Sequence, residues 1–380
     1  MTELLPFVAE LPLVDHHCHG LTTGNVGRGD FERMLTEADT VSPLGTSLFD
    51  SLIGLAVRER CAPVLDLPRH APADDYLARR ALLGSAEVNR RFLRATGTTD
   101  FLLDGGFLPE SLTTTAEFAT LAGARAHDVV RLEQVAEDVV RGTSAGGFAA
   151  AFADELGKRA VGAVGLKSIA AYRVGLELSG DRPSEAEIEA AAGRWLARID
   201  AGEPARLADE VLHRHLVWTG LDLGLPVQFH VGYGDSDVDL RRCDPLLLTP
   251  LLRATWALGV PILLLHNYPF HRNAAYLAQV FEHVFVDAGL ITHNAGFRAP
   301  AILAEVLELV PFGKLLFSTD AFGLAELYHL GTALFRQGLS DFLRTALDAD
   351  ALSEGDAMRV CELVGHENAA RIYRLERRDS

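Results

Sequence analysis

The segment Asp15-His16-His17-Cys18-His19 carries two imidazoles two residues apart at the end of a short apolar run. Residues i and i+2 of a β-strand point to the same face, so His17 and His19 can bind one metal ion together. His16 lies on the opposite face of such a strand. On these residues alone, an edge strand that contains histidines and binds nothing is an equally good interpretation.

Further polar side chains stand within or at the ends of later apolar runs. They are Lys167, His230, His266 and Asp320. Taken singly, each has a structural explanation: a hydrogen-bonded core histidine, an aspartate that caps a helix, or a lysine paired with Glu133 or Asp104. A metal site at one rim of a sheet accounts for all of them at once.

These side chains are the ligands that a catalytic divalent metal takes. Zn²⁺ accepts neutral imidazole nitrogen and carboxylate oxygen, and a catalytic site keeps one position open for water. One ion can be held by His17, His19 and Asp320, and a second by His230 and His266. Lys167 offers no lone pair as an ammonium, but a neutral amine reacts with carbon dioxide to give a carbamate that can bridge two metals. An ordinary ion pair of Lys167 stays the alternative.

Short aliphatic runs alternate with longer helical patterns, as is typical of repeated βα units around a parallel sheet. The predicted strands are Leu11–His17, Asp100–Gly105, Val129–Glu133, Ala163–Ile169, Pro226–Val231, Pro261–Asn267, Val284–Ala288 and Lys314–Asp320. The predicted helices between them include Thr114–Ala124, Gly147–Lys158, Pro204–Leu223, Leu246–Leu258, Asn273–Glu282, Pro300–Leu309 and Ala325–Gln337. These strands and helices predict a single α/β domain that spans residues 1–380 and has the (β/α)8 TIM-barrel fold. A doubly wound sheet is disfavoured, because no Gly-x-Gly-x-x-Gly turn follows a predicted strand.

A long insertion, residues 20–99, separates the first two predicted strands. Within it, Thr46–Cys61 and Ala73–Arg94 have helical patterns. Active sites of such barrels are built from the loops that follow the strands, so we expect this mostly helical insertion to form a lid. A second insertion, Leu176–Pro204, carries the acidic helix Ser184–Ile199.

Composition narrows the class of protein. The net charge of −17 disfavours nucleic acid or an anionic membrane as a partner. The four cysteines form no Cys-x-x-Cys pair, which argues against a disulfide framework or a thiolate zinc site. The N-terminal residues lack a signal-peptide pattern, and the apolar runs are too short to cross a bilayer. We expect a cytoplasmic protein that acts on a small molecule, with a homodimer as the candidate oligomer.

The order and strand-end placement of the polar residues resemble the metal-site pattern of the amidohydrolase superfamily. Asp15-x-His17-x-His19, Lys167, His230, His266 and Asp320 carry this resemblance. The stretches 165–176 and 228–234 are similar to the amidohydrolase-related branch that includes the domain fused to glutamine-synthetase-like FluG and nodulin proteins. The resemblance covers nearly the whole chain and is nearly silent about substrate.

The resemblance implies a binuclear metal-dependent amidohydrolase that cleaves C–N bonds other than peptide bonds, or a lactone or ester. It assigns His17, His19 and Asp320 to one metal and His230 and His266 to the other, with carboxylated Lys167 as the bridge. Two Zn²⁺ ions are expected, with Mn²⁺ or Fe²⁺ as alternatives. A water activated by the metals would attack the substrate carbonyl, with Asp320 as the general base. The alternative is a mononuclear decarboxylase or other lyase on the same barrel.

Loop residues after the later strands are candidates for substrate contacts. They are Tyr172, Arg173, Tyr233, Tyr268, His271 and Arg272. The arginines can bind a substrate carboxylate, and a surface or interhelix ion pair is the alternative for each. Asp287 is expected to orient a histidine ligand, and His293 to lie within reach of a substrate. His213 and His215 fall in a helical run, where residues i and i+2 do not share a face, and are expected at the surface.

Overall fold

The computed structural model describes residues 3–107 and 110–376. Seven strands are present in this part of the chain: β1 Leu13–Cys18, β2 Thr98–Asp104, β3 Arg125–Arg131, β4 Gly165–Ser168, β5 Val227–Val231, β6 Ile262–His266 and β7 Val284–Val286. They are hydrogen-bonded in chain order, β1 to β7, in one sheet. Parallel pairing sets Lys167 beside Gln228, and Val231 beside His266. The α/β class and the first seven predicted strands are therefore confirmed, and the architecture is consistent with a TIM-barrel-like fold.

Helices follow nearly every strand. In chain order they are α1 Pro6–Ala9, α2 Arg28–Arg33, α3 Leu52–Ala56, α4 Ala73–Leu83, α5 Ser85–Thr96, α6 Thr115–Ala122, α7 Leu132–Val140, α8 Phe148–Arg159, α9 Ala170–Arg173, α10 Glu185–Asp200, α11 Glu210–Asp222, α12 Thr249–Thr255, α13 His271–Val280, α14 Ile291–Asn294, α15 Ala299–Leu307, α16 Ala325–Asp348, α17 Glu354–Glu362 and α18 Asn368–Ile372. No helix in residues 3–107 or 110–376 is long and apolar enough to cross a bilayer.

The predicted eighth strand, Lys314–Asp320, is not a regular strand. Its first residue closes a 3-10 turn, and the residues that follow hydrogen-bond to β1 only at intervals. Asp320 N donates to the carbonyl of His17 at 3.0 Å. Between such bonds, Thr319 N donates to the Asp15 carboxylate at 3.0 Å instead of to a backbone carbonyl. Because a side chain takes this N–H, the ladder is broken.

The chain divides into two compact units. Of the described residues, the first comprises 3–107, 110–127, 287–371 and 376, and the second comprises 128–286 and 372–375. Each unit has its own buried aromatic core: Phe31, Tyr76, Phe92, Phe101 and Phe118 in the first, and Phe148, Phe152, Trp195 and Phe229 in the second. Burial of each large side chain contributes roughly 2 kcal/mol, so these residues stabilise each unit together with the aliphatic side chains around them.

The insertion after β1 is mostly helical, as predicted, but its helices are shorter. The predicted helix Thr46–Cys61 is a 3-10 turn followed by α3 and the π-helical turn Val57–Cys61. The predicted helix Ala73–Arg94 is broken at Gly84, whose φ of 78° lies in the left-handed region that glycine favours. The helix predicted over Ser184–Ile199 is α10, and Ser184 caps its first turn.

A buried ion pair links the insertion to α16. Arg80 Nε on α4 lies 2.7 Å from Glu326 Oε1, and the hydroxyl of Tyr76 donates to the same oxygen at 3.0 Å. Arg80 is 4% and Glu326 0% exposed. Removing one partner of such a pair leaves an uncompensated buried charge, which typically costs about 3–5 kcal/mol. The pair therefore holds α4 firmly against α16.

Two polar residues of the second unit differ from their predicted places. Glu133 lies in the first turn of α7 and not in a strand, because β3 ends at Arg131. Its carboxylate accepts from Ser168 Oγ at 2.8 Å and from the backbone N–H of Ile169 at 2.9 Å. His213, predicted at the surface, is 0% exposed, so that prediction is wrong. It lies on the buried face of α11, and burial lowers the pKa of its imidazole.

Acid should weaken the first unit through Asp100 on β2. Burial raises the pKa of this carboxyl, but hydrogen bonds from His127 and Arg125 outweigh burial and lower the pKa from 3.8 to about 2. Since the folded pKa lies below the unfolded value, the stabilisation is complete above about pH 4 and is lost as the pH falls towards 2. Arg125 is partly exposed, so solvent screening leaves about 1 to 2 kcal/mol. Denaturant unfolding between pH 5 and 2.5 should show this loss in the wild type and a smaller loss in Asp100→Asn. Equal pH profiles would contradict the assignment.

Candidate metal centre

Three of the predicted ligands meet in the first unit. Asp320 Oδ1 lies 3.1 Å from His17 Nε2 and 3.3 Å from His19 Nε2. One ligand atom from each of the three residues falls within 4.8 Å of the others. His17 is 0% exposed, and His19 and Asp320 are each 8% exposed. A buried group of two imidazoles and a carboxylate is therefore assembled by the fold.

The backbone of β1 sets the positions of these residues. The N–H of Asp320 donates to the carbonyl of His17, and the N–H of His19 donates to the carbonyl of Ala321 at 2.9 Å. Asp320 itself has a φ of 53°, in the left-handed region. Non-glycine residues in that region are uncommon, aspartate is among the side chains that tolerate it, and such conformations cluster at functional sites.

Neighbouring groups fix the orientation of His19. Its Nδ1 lies 3.2 Å from the backbone carbonyl of Asp104, and a carbonyl can only accept a hydrogen bond. Nδ1 therefore carries the proton, and Nε2 presents a lone pair towards Asp320. The hydroxyl of Tyr328 also donates to the backbone carbonyl of His19. The backbone and the ring of this residue are thus both held.

The geometry fits a divalent metal. Two ligands bound at 2.0–2.1 Å in a tetrahedral site lie roughly 3.3 Å apart. The separations of 3.1 and 3.3 Å between the imidazole nitrogens and the carboxylate oxygen match that value. Three protein ligands would leave a coordination position for water or substrate, as in catalytic sites.

Two buried carboxylates, those of Asp15 and Asp287, hydrogen-bond to residues on and beside β1. Asp15 accepts from Thr319 Oγ1 at 2.6 Å, and burial raises the pKa of its carboxyl to about 7. Asp287 Oδ2 lies 2.9 Å from His16 Nε2 and accepts from Ser318 Oγ at 2.8 Å. Asp287 therefore does orient a histidine, but the histidine is His16 on the other face of β1.

His293 lies near the cluster, on the short helix α14. It is 2% exposed, and its Nδ1 has no hydrogen-bond partner among residues 3–107 and 110–376. Burial lowers the pKa of this imidazole to about 4, although the nearby charge of Asp320 acts in the opposite direction. The ring is therefore neutral at physiological pH. No partner for His293 could be identified from the sequence, because Asp320 is remote along the chain.

The second unit brings together two further predicted ligands. The rings of His230, on β5, and His266, at the end of β6, have centroids 4.8 Å apart. His230 Nε2 lies 3.2 Å from the carbonyl oxygen of Tyr233. His266 has a φ of 69°, again left-handed. Lys167, on the neighbouring strand β4, is 2% exposed.

Most of the predicted substrate residues form an aromatic cluster beside His230. The Tyr172 ring lies 4.4 Å from the His230 ring. Tyr268 contacts Tyr233 edge to face at 5.9 Å and stacks on His271 at 5.8 Å. Stacked and edge-to-face aromatic pairs prefer such distances. The cluster places four of the six predicted substrate residues together.

The two predicted arginines lie in different surroundings. Arg173 Nη1 lies 2.5 Å from Glu137 Oε1 and donates to the carbonyl of Leu207 at 3.3 Å. This ion pair is the alternative that its sequence context left open. Arg272 is exposed in the first turn of α13.

Comparison with known proteins agrees with this geometry. One similar protein, from Lactobacillus casei, is assigned as a metal-dependent hydrolase and has a crystal structure. Its sequence is 31% identical to this chain, and the two structures align over 97% of this chain and 96% of that one with a TM-score of 0.84. Protein fluG of Emericella nidulans is 27% identical over 99% of this chain, which spans 47% of that protein's length. Glucuronate isomerase from Caulobacter crescentus shares the fold, with a TM-score of 0.64 over 98% of this chain and 94% of its own. Its sequence identity to this chain is 16%.

A family model described as amidohydrolase matches residues 90–375. This range includes Lys167, His230, His266 and Asp320, and it covers most of the chain. Together with the full-length similarity to the Lactobacillus casei protein, it shows that the chain belongs to the amidohydrolase family.

Proposed function

We propose that this protein is a metal-dependent hydrolase that cleaves an amide bond, or a lactone or ester, of a small molecule. The observation that carries the proposal is the buried cluster of His17, His19 and Asp320, whose atoms are spaced as ligands of one ion. Membership in the amidohydrolase family supports an enzyme that depends on a divalent metal. Zn²⁺ suits these ligands best, and Mn²⁺ or Fe²⁺ are the alternatives.

The residues of the cluster have separable tasks. A divalent cation, when bound, lowers the pKa of water at the open position and polarises the substrate carbonyl. The imidazoles of His17 and His19 hold the cation without adding charge. Asp320 accepts the proton of the attacking water at a carboxylate oxygen and returns it to the leaving group. Its burial and its hydrogen-bonded backbone keep the carboxylate in place throughout.

We further propose that the second unit holds another ion through His230, His266 and carboxylated Lys167. The proximity of the two imidazole rings supports this assignment. The burial of Lys167 supports it as well, because desolvation favours the neutral amine that reacts with carbon dioxide. A carbamate supplies anionic oxygens where an ammonium would be repelled.

The aromatic cluster of Tyr172, Tyr233, Tyr268 and His271 is the proposed substrate-contact surface. Phenol hydroxyls donate hydrogen bonds, and the ring faces bind the apolar body of a substrate. Arg272, which is exposed, is the candidate partner of a substrate carboxylate. Arg173 is not assigned this role, since Glu137 already neutralises it.

A decarboxylase is the second candidate function. The observation that favours it is that, among the described residues, only one group of three or more potential ligands satisfies the geometry of a single metal. One metal ion is sufficient for decarboxylation, because in that reaction the metal binds oxygen atoms of the substrate and no water molecule attacks.

Isotope labelling distinguishes the two reactions. Metal-replete protein is incubated in H₂¹⁸O with a panel of N-acyl amino acids, lactones and aromatic carboxylic acids. Hydrolysis would place one ¹⁸O atom in the product carboxylate. Release of carbon dioxide from the carboxylic acids, without hydrolysis of any amide, ester or lactone, would instead establish the decarboxylase.

A further inference from the structure

We propose that the first unit carries a second ligand site, a cavity that binds a small oxyanion bearing a hydroxyl group. The cavity has a volume of about 340 Å³ and lies among α16, the end of α5 and the turn Val57–Cys61. Its size is in the range of small-molecule sites. The polar residues of its wall are Glu3, Arg60, His329, Thr332, Arg336 and Gln337. The inference does not depend on the reaction proposed above.

The cavity is lined by two arginines that lack close carboxylate partners. Arg336 is 8% exposed and donates to the backbone carbonyls of Val8 at 2.7 Å and Thr96 at 3.2 Å. Within residues 3–107 and 110–376, no carboxylate lies at ion-pair distance from it. Arg60 Nε is 4.0 Å from Glu59 Oε1, which already accepts from Arg69 at 2.6 Å.

Burial of charge without a close partner is costly, so the arginines favour an anion in this cavity. The environment supports this conclusion, since burial lowers the pKa of Arg336 to about 10. Glu3 also borders the cavity but is itself exposed. The surplus of positive charge therefore lies on the buried side of the wall.

Three buried polar atoms of the wall have no hydrogen-bond partner in the described part of the chain. They are Arg60 Nε, His329 Nδ1 and Thr332 Oγ1. Thr332 is only 3% exposed. Leaving a buried donor or acceptor unsatisfied costs about 1–3 kcal/mol, so ordered water or a bound group usually satisfies such atoms in native proteins.

The chemistry of these atoms specifies the ligand. Arg60 Nε–H and the Thr332 hydroxyl can donate to an oxyanion. Burial lowers the pKa of His329 to about 4, so its ring is neutral, and it hydrogen-bonds to the backbone of Arg60. Because Nδ1 has no partner, the other nitrogen donates to that carbonyl, and Nδ1 is an acceptor. A ligand that satisfies all three atoms has oxyanion oxygens and one O–H donor, as a 2-hydroxy acid or hydrogen phosphate does.

The cavity lies at the opposite end of β2 from the metal ligands. Thr96, which Arg336 contacts, precedes the first residue of β2. The carbonyl that holds His19 belongs to Asp104, the last residue of the same strand. A strand of this length spans roughly 20 Å. A ligand in the cavity is thus separate from the substrate and is a candidate effector.

Calorimetric titration of the metal-replete protein tests the proposal with two matched ligand pairs. Malate and succinate differ by one hydroxyl, and inorganic phosphate retains an O–H at neutral pH that sulfate lacks. We expect malate to bind more tightly than succinate, and phosphate more tightly than sulfate. Preference for phosphate over malate, or the reverse, identifies the oxyanion. Equal binding within both pairs would overturn the hydroxyl requirement.

Substitutions locate the binding. Arg60→Met and Thr332→Val should each weaken it by roughly tenfold or more, as expected for loss of a hydrogen bond to a charged ligand. Arg241→Met is the charge-matched control, because that side chain is 90% exposed and remote in sequence. Arg336→Met is a weaker test, since Arg336 also holds two backbone carbonyls. Unchanged affinity in both Arg60→Met and Thr332→Val, or loss of binding on His17→Ala, would overturn the site.

Discussion

Replacing Asp320 by asparagine should lower kcat by about 10³-fold. Asparagine is nearly isosteric and keeps one oxygen as a possible metal ligand, but it cannot accept and return the proton of the attacking water. The backbone should be unaffected, because asparagine tolerates the left-handed φ of 53° found at this position. Steady-state kinetics together with metal content measures the effect, and the loss should appear in kcat with the metal largely retained.

Asp350→Asn is a matched control for this variant. Asp350 is exposed and also has a left-handed φ, 55°, so the same substitution is made in the same backbone conformation. Its activity and thermal stability should equal those of the wild type. If Asp320→Asn kept activity within a few-fold of the wild type, Asp320 would not be the general base.

Replacing Lys167 should change the number of metal ions bound per chain. We expect the wild type to hold two ions per chain, and Lys167→Ala to lose one of them together with at least about 10³-fold in kcat. The physical reason is that the carbamate supplies anionic oxygen, which alanine cannot replace. Elemental analysis of protein purified with excess Zn²⁺, followed by kinetics, measures both quantities.

Chemical rescue makes this experiment specific. The space left by Lys167→Ala can admit a small carboxylate, so propionate should restore part of the metal content and the activity. Propionamide has the same shape but no charge and should restore neither. Lys158→Ala, at an exposed surface pair with Asp154, is the control for loss of a lysine. A wild type with one ion per chain that Lys167→Ala retains would favour the mononuclear alternative.

Local sequence patterns are sufficient to predict most of the sheet. Most of the seven runs form strands that are buried along nearly their whole length, which a continuous apolar run predicts. The strand Arg125–Arg131 is the exception, since only Val129 within it is buried. The segment 314–320 looks like an eighth run of the same kind. Its ladder is broken by the Asp15 carboxylate, which bonds Thr319 N from the other end of the chain. No local pattern contains that information.

Some features of the candidate site could likewise be predicted from local sequence patterns, and others could not. The spacing of His17 and His19 follows from the two-residue period of a strand, and chain order points to Asp320. The burial of His213 and the pairing of Arg173 with Glu137 depend on how helices pack, and sequence periodicity does not reveal this. A signal was present in one case: His213 lies on the same helical face as the apolar residues Leu216 and Val217, three and four positions later.

The buried pair of Arg80 and Glu326 limits how the insertion after β1 can move. If α4 moved away from α16, it would lose both the 2.7 Å contact between Arg80 Nε and Glu326 Oε1 and the hydrogen bond from Tyr76 to the same carboxylate oxygen. We therefore expect α4 to stay packed against α16 and to be a fixed part of the insertion, not a lid that opens.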